Sequence, residues 1–95
     1  MYTQSGIVVT FDPAKDAINK KKHRISLGRA ADFDFEAAAF VVDDREDYGE
    51  IRIRAIGFLE ARLYSLVFTQ DGEGIRAISL RKATRNEQKE YKESR

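Results

Sequence analysis

The chain lacks cysteine and tryptophan, and it has one histidine and one proline among its 95 residues. Without cysteine it can form neither a disulfide nor a thiolate metal site, and His23 alone cannot supply a site built from several histidines. A metal site made only of carboxylates stays open on these grounds. We expect a protein that works without a cofactor and without a bound metal.

Long apolar segments are absent as well. No run approaches the roughly 20 residues that span a bilayer, and residues 1–5 lack the charged and apolar regions of a signal peptide. The sequence therefore predicts a cytoplasmic protein that does not associate with a membrane. A length of 95 residues predicts a single domain over residues 1–95, with a small core to which a partner could add stability.

The net charge of +1 conceals a separation of charge along the chain. Residues 1–31 carry +4, residues 32–50 carry −7 and residues 51–95 carry +4. If the two basic segments converge, they create a positive field suited to phosphate, while the acidic middle repels nucleic acid or attracts a basic partner. The alternative is that these charges are scattered over solvated surfaces.

Helical signals lie in the first half of the chain. Asp12 is placed to cap a helix over residues 13–23, since proline is favoured at the first helical position. Ser26 is placed to cap a second helix over residues 27–36, and residues 37–42 either extend that helix or begin a strand. The side chains expected to be buried on the first helix are Ala14, Ala17 and Ile18.

Strand signals surround these helices. Residues 6–11 are rich in β-branched side chains, and residues 51–57 alternate between apolar and basic side chains. Residues 63–69 are almost continuously apolar, which is typical of a central strand covered on both faces. Residues 70–74 have the composition of a hairpin turn, and residues 75–81 follow as the next strand.

A last helix is predicted to begin after Thr84, because Glu87 three residues later completes a capping box. The order of elements, with two helices followed by three meandering antiparallel strands, indicates an α+β fold. We expect its helices to lie on one face of the sheet.

Two polar motifs stand apart from these patterns, one near each end of the chain. The first comprises Phe11, Asp12, Pro13, Lys15, Asn19, Lys22 and His23, and the second comprises Arg76, Ile78, Ser79, Arg81, Lys82, Ala83, Thr84, Glu87 and Tyr91. Together they resemble the BrnT family of toxins, over about residues 11–91. The resemblance implies a RelE-like fold: an antiparallel, mainly meandering sheet of about four to five strands, with two N-terminal helices and one C-terminal helix.

The resemblance also implies a function. A BrnT-like protein is the toxin of a type II toxin–antitoxin system, an endoribonuclease that cleaves RNA to a 2′,3′-cyclic phosphate and inhibits translation. Its implied partner is a BrnA-like antitoxin with a ribbon-helix-helix domain, which neutralises the toxin in a hetero-oligomer. Operator DNA would then be read by the antitoxin and not by this chain.

Metal-independent RNA cleavage needs a base for the 2′-hydroxyl, cations at the phosphate and an acid for the leaving oxygen. His23 is the side chain whose ordinary pKa suits proton exchange near neutrality, and neighbouring lysines such as Lys22 favour its neutral form. Which group is base and which is acid stays open. The alternative is that His23 only complements the dipole at a helix end.

Four arginines and two lysines supply the expected cations. Arg52 and Arg54 alternate on one strand face and are predicted to clamp a phosphate, although they could equally be solvent-facing charges paired with acids such as Glu50. Arg81, at a strand end, is expected by resemblance to stabilise the transition state. Strand alternation places Lys82 on the opposite face, together with Arg76, and both are candidates for phosphate binding. Lys22 is the remaining candidate for phosphate binding.

Three further residues complete the candidate site. Tyr91 could stack on a base or donate a proton, or it could simply pack against the sheet. Glu87 supports the site or only completes the capping box, and Asn19 either orients the His23 imidazole or binds nearby backbone.

The chain departs from the BrnT pattern at three positions, where Phe11 replaces Trp, Arg24 replaces Gly after the Lys-His pair, and Leu80 replaces Ala. Two other functions therefore stay open. One is a catalytically inactive module that binds the antitoxin and acts as a co-repressor. The other is a single-stranded RNA binder that uses arginines and aromatic stacking and yields no products.

Overall fold

A computed structural model describes residues 2–4 and 7–94. Its elements in chain order are β1 (Tyr2–Gln4), β2 (Ile7–Thr10), α1 (Pro13–His23), a 3₁₀ helix (Leu27–Asp32), β3 (Ala39–Val42), β4 (Ile53–Leu59), β5 (Arg62–Asp71), β6 (Gly74–Lys82) and α2 (Arg85–Glu93). Among these residues there is no helix long and apolar enough to cross a bilayer.

The strands form one six-stranded sheet in the order β1-β2-β6-β5-β4-β3. The predicted meander is present as β4-β5-β6, and β5 is central as its apolarity indicated. The predicted α+β class is confirmed, but the sheet is mixed and has six strands, whereas an antiparallel, mainly meandering sheet of about four to five strands was predicted. β2 pairs with β6 in parallel. Between these two strands the chain forms the helices and strands β3 to β5, a connection long enough for β6 to run in the same direction as β2.

The two faces of the sheet are covered by different elements. One face, which we call the 3₁₀ face, packs its buried residues Leu66, Ala77 and Leu80 with Leu27 and Ala30 of the 3₁₀ helix. The other face, the α2 face, packs Ile56 with Tyr91 of α2. The prediction that the helices lie on one face of the sheet was therefore wrong.

The 3₁₀ helix corrects a second prediction. Ser26 caps it by accepting a hydrogen bond from the Gly28 N–H, but the helix ends at Asp32 instead of continuing to residue 36. Phe33 turns into the core and lies against Gly57, where an added Cβ would be 2.8 Å from the Phe33 Cζ atom. Since the chain turns here to insert this ring, residues 39–42 become strand β3.

Helix α1 has the predicted bounds but buries a different stripe. Ala14, Ala17 and Ile18 are exposed, with Ile18 at 56%, whereas Asp16 and Asn19 are buried. Asp16 accepts hydrogen bonds from Ser26 and from the Leu27 N–H, and Asn19 pairs with both backbone groups of Leu80 at 2.8 and 3.1 Å. The helix therefore docks beside β6 through polar side chains.

A β-bulge in β6 overturns one prediction about side-chain direction. Val67 pairs with Ser79, while its neighbour Phe68 pairs with Ala77, so Ile78 is the extra residue. Paired residues of antiparallel strands project to the same face. The bulge therefore places Arg76 on the α2 face together with Arg81, and not with Lys82.

Candidate active site

Basic residues from the two ends of the chain meet at the C-terminus of α1. Lys22, His23 and Arg24 line an open hollow of about 540 Å³ together with Arg81 and Lys82 from the end of β6. Asn19 of α1 holds these two elements together through its hydrogen bonds with the Leu80 backbone of β6, and its amide also donates to the Ile25 carbonyl. The two basic segments therefore do converge in space, and the hollow has the charge expected of a phosphate-binding site.

Tyr64 and Thr84 complete the lining of this hollow. Tyr64 was not predicted as a site residue, since it lies within an apolar strand where an aromatic side chain is ordinary core. Its pairing with Lys82 across β5 and β6 brings it to the basic end of the sheet. Only the strand register could have revealed this position.

His23 is partly buried in this basic environment. Burial, the nearby Arg81 guanidinium and Lys22 all lower the pKa of the imidazole below its ordinary value of 6.5. A lowered pKa means that His23 is neutral at pH 7 and can accept a proton. The residue after it, Arg24, adopts the left-handed conformation with φ 62°, so the helix ends with the geometry that glycine would give.

Arg81 is held from the opposite side by Glu87. The two terminal nitrogens of Arg81 donate to the two carboxylate oxygens of Glu87 at 2.7 and 3.0 Å, a bidentate geometry. Arg54 donates to the same carboxylate at 3.0 Å and lies 3.6 Å from Glu90. One buried carboxylate therefore positions two arginines from different strands.

The capping box explains why Glu87 lies there. The Glu87 carboxylate accepts from the Thr84 N–H at 2.8 Å, and the Thr84 hydroxyl accepts from the Glu87 N–H, as predicted. Burial alone would raise the pKa of Glu87, but the hydrogen bonds from Arg81 and from the Thr84 N–H, together with the charges of Arg81 and Arg54, lower it to about 2. Glu87 is therefore ionised across the physiological pH range.

The structure does not bring Arg52 to this cluster. Arg52 donates to Glu50 at 3.1 Å and lies 3.9 Å from the centroid of the Tyr48 ring. Arg76 donates to the other oxygen of Glu50 at 2.7 Å. Arg52 and Arg54, predicted to clamp one phosphate, are thus bound by different carboxylates.

Two of the remaining candidates have clear structural contacts. Tyr91 is 8% exposed and packs edge-on against Phe58, with ring centroids 5.7 Å apart. Asn19 uses its amide for the backbone of Leu80 and Ile25. These positions match the packing alternative for Tyr91 and the backbone-binding alternative for Asn19.

A buried hydroxyl lies between the arginine strands. Ser65 is 1% exposed, pairs with Arg81 on one side and with Ile56 on the other, and its Oγ makes no hydrogen bond within the described part of the chain. The apolar run over residues 63–69 shows this serine but does not indicate that its hydroxyl is fully buried.

Comparison with known proteins bears on the whole arrangement. The model of a family described as "Ribonuclease toxin, BrnT, of type II toxin-antitoxin system" matches residues 11–87. Among solved structures, the chain is similar to the crystal structure of the Brucella abortus ribonuclease toxin BrnT, with a TM-score of 0.60 and 25% sequence identity over 83% of this chain and 99% of that chain. The comparison with curated proteins found no match.

Proposed function

The chain belongs to the BrnT family of ribonuclease toxins of type II toxin–antitoxin systems, and on this basis we propose that it is a metal-independent endoribonuclease that inhibits translation and is neutralised by a BrnA-like antitoxin. The observation that carries the proposal is the hollow in which the neutral imidazole of His23 and the positioned guanidinium of Arg81 line one surface. A proton acceptor beside a fixed cation supplies two of the three groups that cleavage at a 2′-hydroxyl requires.

In this mechanism the 2′-hydroxyl loses its proton to a base as its oxygen bonds to the adjacent phosphorus. The bond between phosphorus and the 5′-oxygen breaks and the 5′-oxygen takes up a proton, which yields a 2′,3′-cyclic phosphate. His23 is the group that exchanges a proton with the reacting oxygens. Arg81 stabilises the charge that develops on the phosphate, assisted by Lys22 and Lys82.

Arg81 can serve this role while it binds Glu87. A guanidinium has five N–H donors, and the hydrogen bonds to Glu87 and to the Lys82 carbonyl use three of them. Glu87 therefore supports the site by fixing the direction of Arg81, and Arg54 supports it through the same carboxylate. We place Arg52 and Arg76 outside the reaction centre because Glu50 binds both, and we place Tyr91 in the core where α2 packs against the sheet.

The test is cleavage of a defined single-stranded RNA in EDTA by the purified chain and by two variants, Arg81→Ala and His23→Gln. Both variants should lose cleavage by about 100-fold or more, as expected when a charge-stabilising or proton-transferring group is removed. Arg85→Ala is the matched control, because Arg85 is an exposed arginine near the hollow. Full activity of both variants in EDTA would refute the assigned chemistry.

The second candidate is the catalytically inactive co-repressor module, and the engagement of Arg81 by Glu87 is the observation that favours it. A cation paired with a buried carboxylate stabilises a phosphate less than an unpaired one does. Induced expression without antitoxin separates the two functions. Growth arrest with RNA loss supports the ribonuclease, and normal growth with intact RNA and a folded, antitoxin-binding chain supports the co-repressor.

A further inference from the structure

Strand β3 ends the sheet with an unprotected apolar edge. Its sequence Ala39–Val42 contains no charge, proline or glycine, the devices that usually protect an edge strand. Phe40 is 52% exposed, Val42 is 56% exposed and the nearby Ile51 is 72% exposed. In the part of the chain that the structure describes, no strand pairs with the second edge of β3. This edge is a template for another strand.

The backbone groups available at this edge can be assigned. The Asp43 N–H donates to the Arg52 carbonyl at 2.8 Å, so Asp43 points its backbone groups towards β4. Backbone direction alternates along an antiparallel strand, so Val41 points the same way while Phe40 and Val42 point outward. Two N–H and two C=O groups therefore face the open edge.

The side chains beside these groups form an apolar surface. Phe40 pairs with Ala55 and Val42 with Ile53, so their side chains share the 3₁₀ face. An open groove of about 590 Å³ continues that surface along Ile51 and Ile53 towards Phe68. A strand added at β3 would bury every second side chain against this surface.

Charge indicates which strand would fit. Exposed carboxylates flank β3 on both sides, with Asp34 and Glu36 before it and Asp44 and Glu46 after it. In an antiparallel pair of two copies, the start of one β3 would meet the end of the other and bring these carboxylates together. Like charges at paired positions destabilise strand pairing, and basic residues there would favour it. The edge is thus suited to a basic partner and opposes self-association.

We propose that β3 is the docking site for the antitoxin, which adds an extended segment with alternating apolar side chains and flanking lysines or arginines as a seventh strand. This inference rests on the proposed function, because it takes the partner to be the antitoxin. It assigns the antitoxin to an edge whose residues, Phe40 and Val42, do not line the basic hollow.

The first test compares two substitutions at one position. Val42→Pro removes an outward N–H and leaves the pairing with β4, whereas Val42→Thr keeps the N–H and the branched shape. The probe is the protein encoded beside this chain in its operon, co-expressed with it. We expect Val42→Pro to weaken the complex by about 30-fold or more and Val42→Thr by much less. Equal affinity of Val42→Pro and the wild type would overturn the inference.

A second measurement does not depend on a variant that must fold. Amide hydrogen exchange in the wild-type chain should show the Phe40 and Val42 N–H groups exchanging rapidly when the chain is alone and slowly in the complex. Protection elsewhere with rapid exchange at both amides would overturn the inference. Protection of both amides in the isolated chain, together with a dimer in sedimentation, would assign the edge to a second copy and also overturn it.

A third comparison tests the charge argument. The double variant Asp44→Asn and Glu46→Gln should weaken the complex at low ionic strength, and the difference should shrink as salt is added. Glu93→Gln, an exposed acid at the end of α2, is the matched control and should bind as the wild type does.

Failure of this inference is distinguishable from failure of the proposed function. If the operon partner neutralises the wild type and Val42→Pro equally well, the toxin–antitoxin function stands and the docking site is wrong. If the partner neither binds nor neutralises the wild type, the antitoxin part of the proposed function fails together with the inference.

Discussion

The basic hollow and the β3 edge differ in how many of their polar and apolar groups find a partner within the described chain. At the hollow, polar side chains fix one another and the backbone, as Glu87 fixes Arg81 and Arg54 and Asn19 fixes the end of α1 to β6. At the edge, Phe40 and Val42 of β3 leave backbone groups without a partner strand, and their apolar side chains are exposed. A site that binds a small charged group must be rigid beforehand, whereas an edge that accepts a strand is completed by its partner.

The largest expected effect separates the two regions directly. Arg81→Ala should lower RNA cleavage by about 100-fold or more, because the cation at the phosphate is removed. Binding of the operon partner should not change, since the β3 edge keeps every group that we assign to docking. The measurements are cleavage rates and the dissociation constant on the same preparation. A similar loss of partner affinity in Arg81→Ala would show that the regions are not independent.

The next effect tests the rigidity of the hollow. Glu87→Gln should lower the free energy of unfolding by about 3 kcal/mol, because Arg81 and Arg54 lose the carboxylate that both of them share. Urea unfolding measures this change. Glu90→Gln is the matched control, because the Glu90 side chain is 52% exposed and its contact with Arg54 is long, at 3.6 Å. This substitution should lower the free energy of unfolding by less than about 1 kcal/mol.

The same carboxylate sets the response to acid. The pKa of Glu87 is about 2 in the folded chain and near its ordinary 4.5 when unfolded, so its contribution is present above pH 4.5 and is lost as the pH falls towards 2. The loss of stability from Glu87 should reach about 3 kcal/mol. Asp16 and Asp43 should add to this loss, since their pKa values are also lowered in the folded chain. In Glu87→Gln the fall in stability over this range should be much shallower. An unchanged slope would mean that the arginines do not stabilise the ionised form.

Much of the fold followed from local signals in the sequence. Asp12 with Pro13 marked the start of α1, and Thr84 with Glu87 marked the start of α2, because capping depends on residues within one turn. The hairpin between β5 and β6 was equally local. The motifs also placed His23 and Arg81 at element ends, although only the structure shows that they share a hollow.

The remaining features depend on contacts between distant residues. The parallel pairing of β2 with β6 leaves no trace in either strand, and the bulge at Ile78 is a single extra residue that reverses the direction of Arg76. The buried stripe of α1 was misread because Asp16 and Asn19 are buried through hydrogen bonds to other elements, which apolar periodicity cannot predict.

A smaller effect sharpens the electrostatic side of the comparison. His23 is the only histidine, so one imidazole resonance in NMR reports its titration without ambiguity. The pKa should lie below 6.5, Arg81→Gln should raise it, and Lys22→Gln should raise it by less, since burial and Arg81 have the larger influence. Val42→Thr at the other region should leave it unchanged. A pKa that does not respond to Arg81→Gln would place the guanidinium too far away to act with the imidazole.

The smallest effect concerns the backbone that presents His23. Arg24 holds φ 62°, where a Cβ is unfavourable, so Arg24→Gly should raise the free energy of unfolding by about 0.5 to 1 kcal/mol. Arg24→Ala is the control, because it loses the same charge but keeps the Cβ, and its stability should stay close to that of the wild type. Urea unfolding of both variants separates the conformational effect from the charge.

Cleavage by these two variants then shows what positions the imidazole. If the hydrogen bonds of Asn19 to Leu80 and Ile25 hold the end of α1, glycine and alanine at position 24 should cleave RNA at equal rates, because neither substitution touches those bonds. Lower activity of the glycine variant alone would mean that the hollow owes its geometry to a restricted backbone at Arg24. The hollow would then be rigid through one strained residue next to His23, and not through the polar network that distinguishes it from the β3 edge.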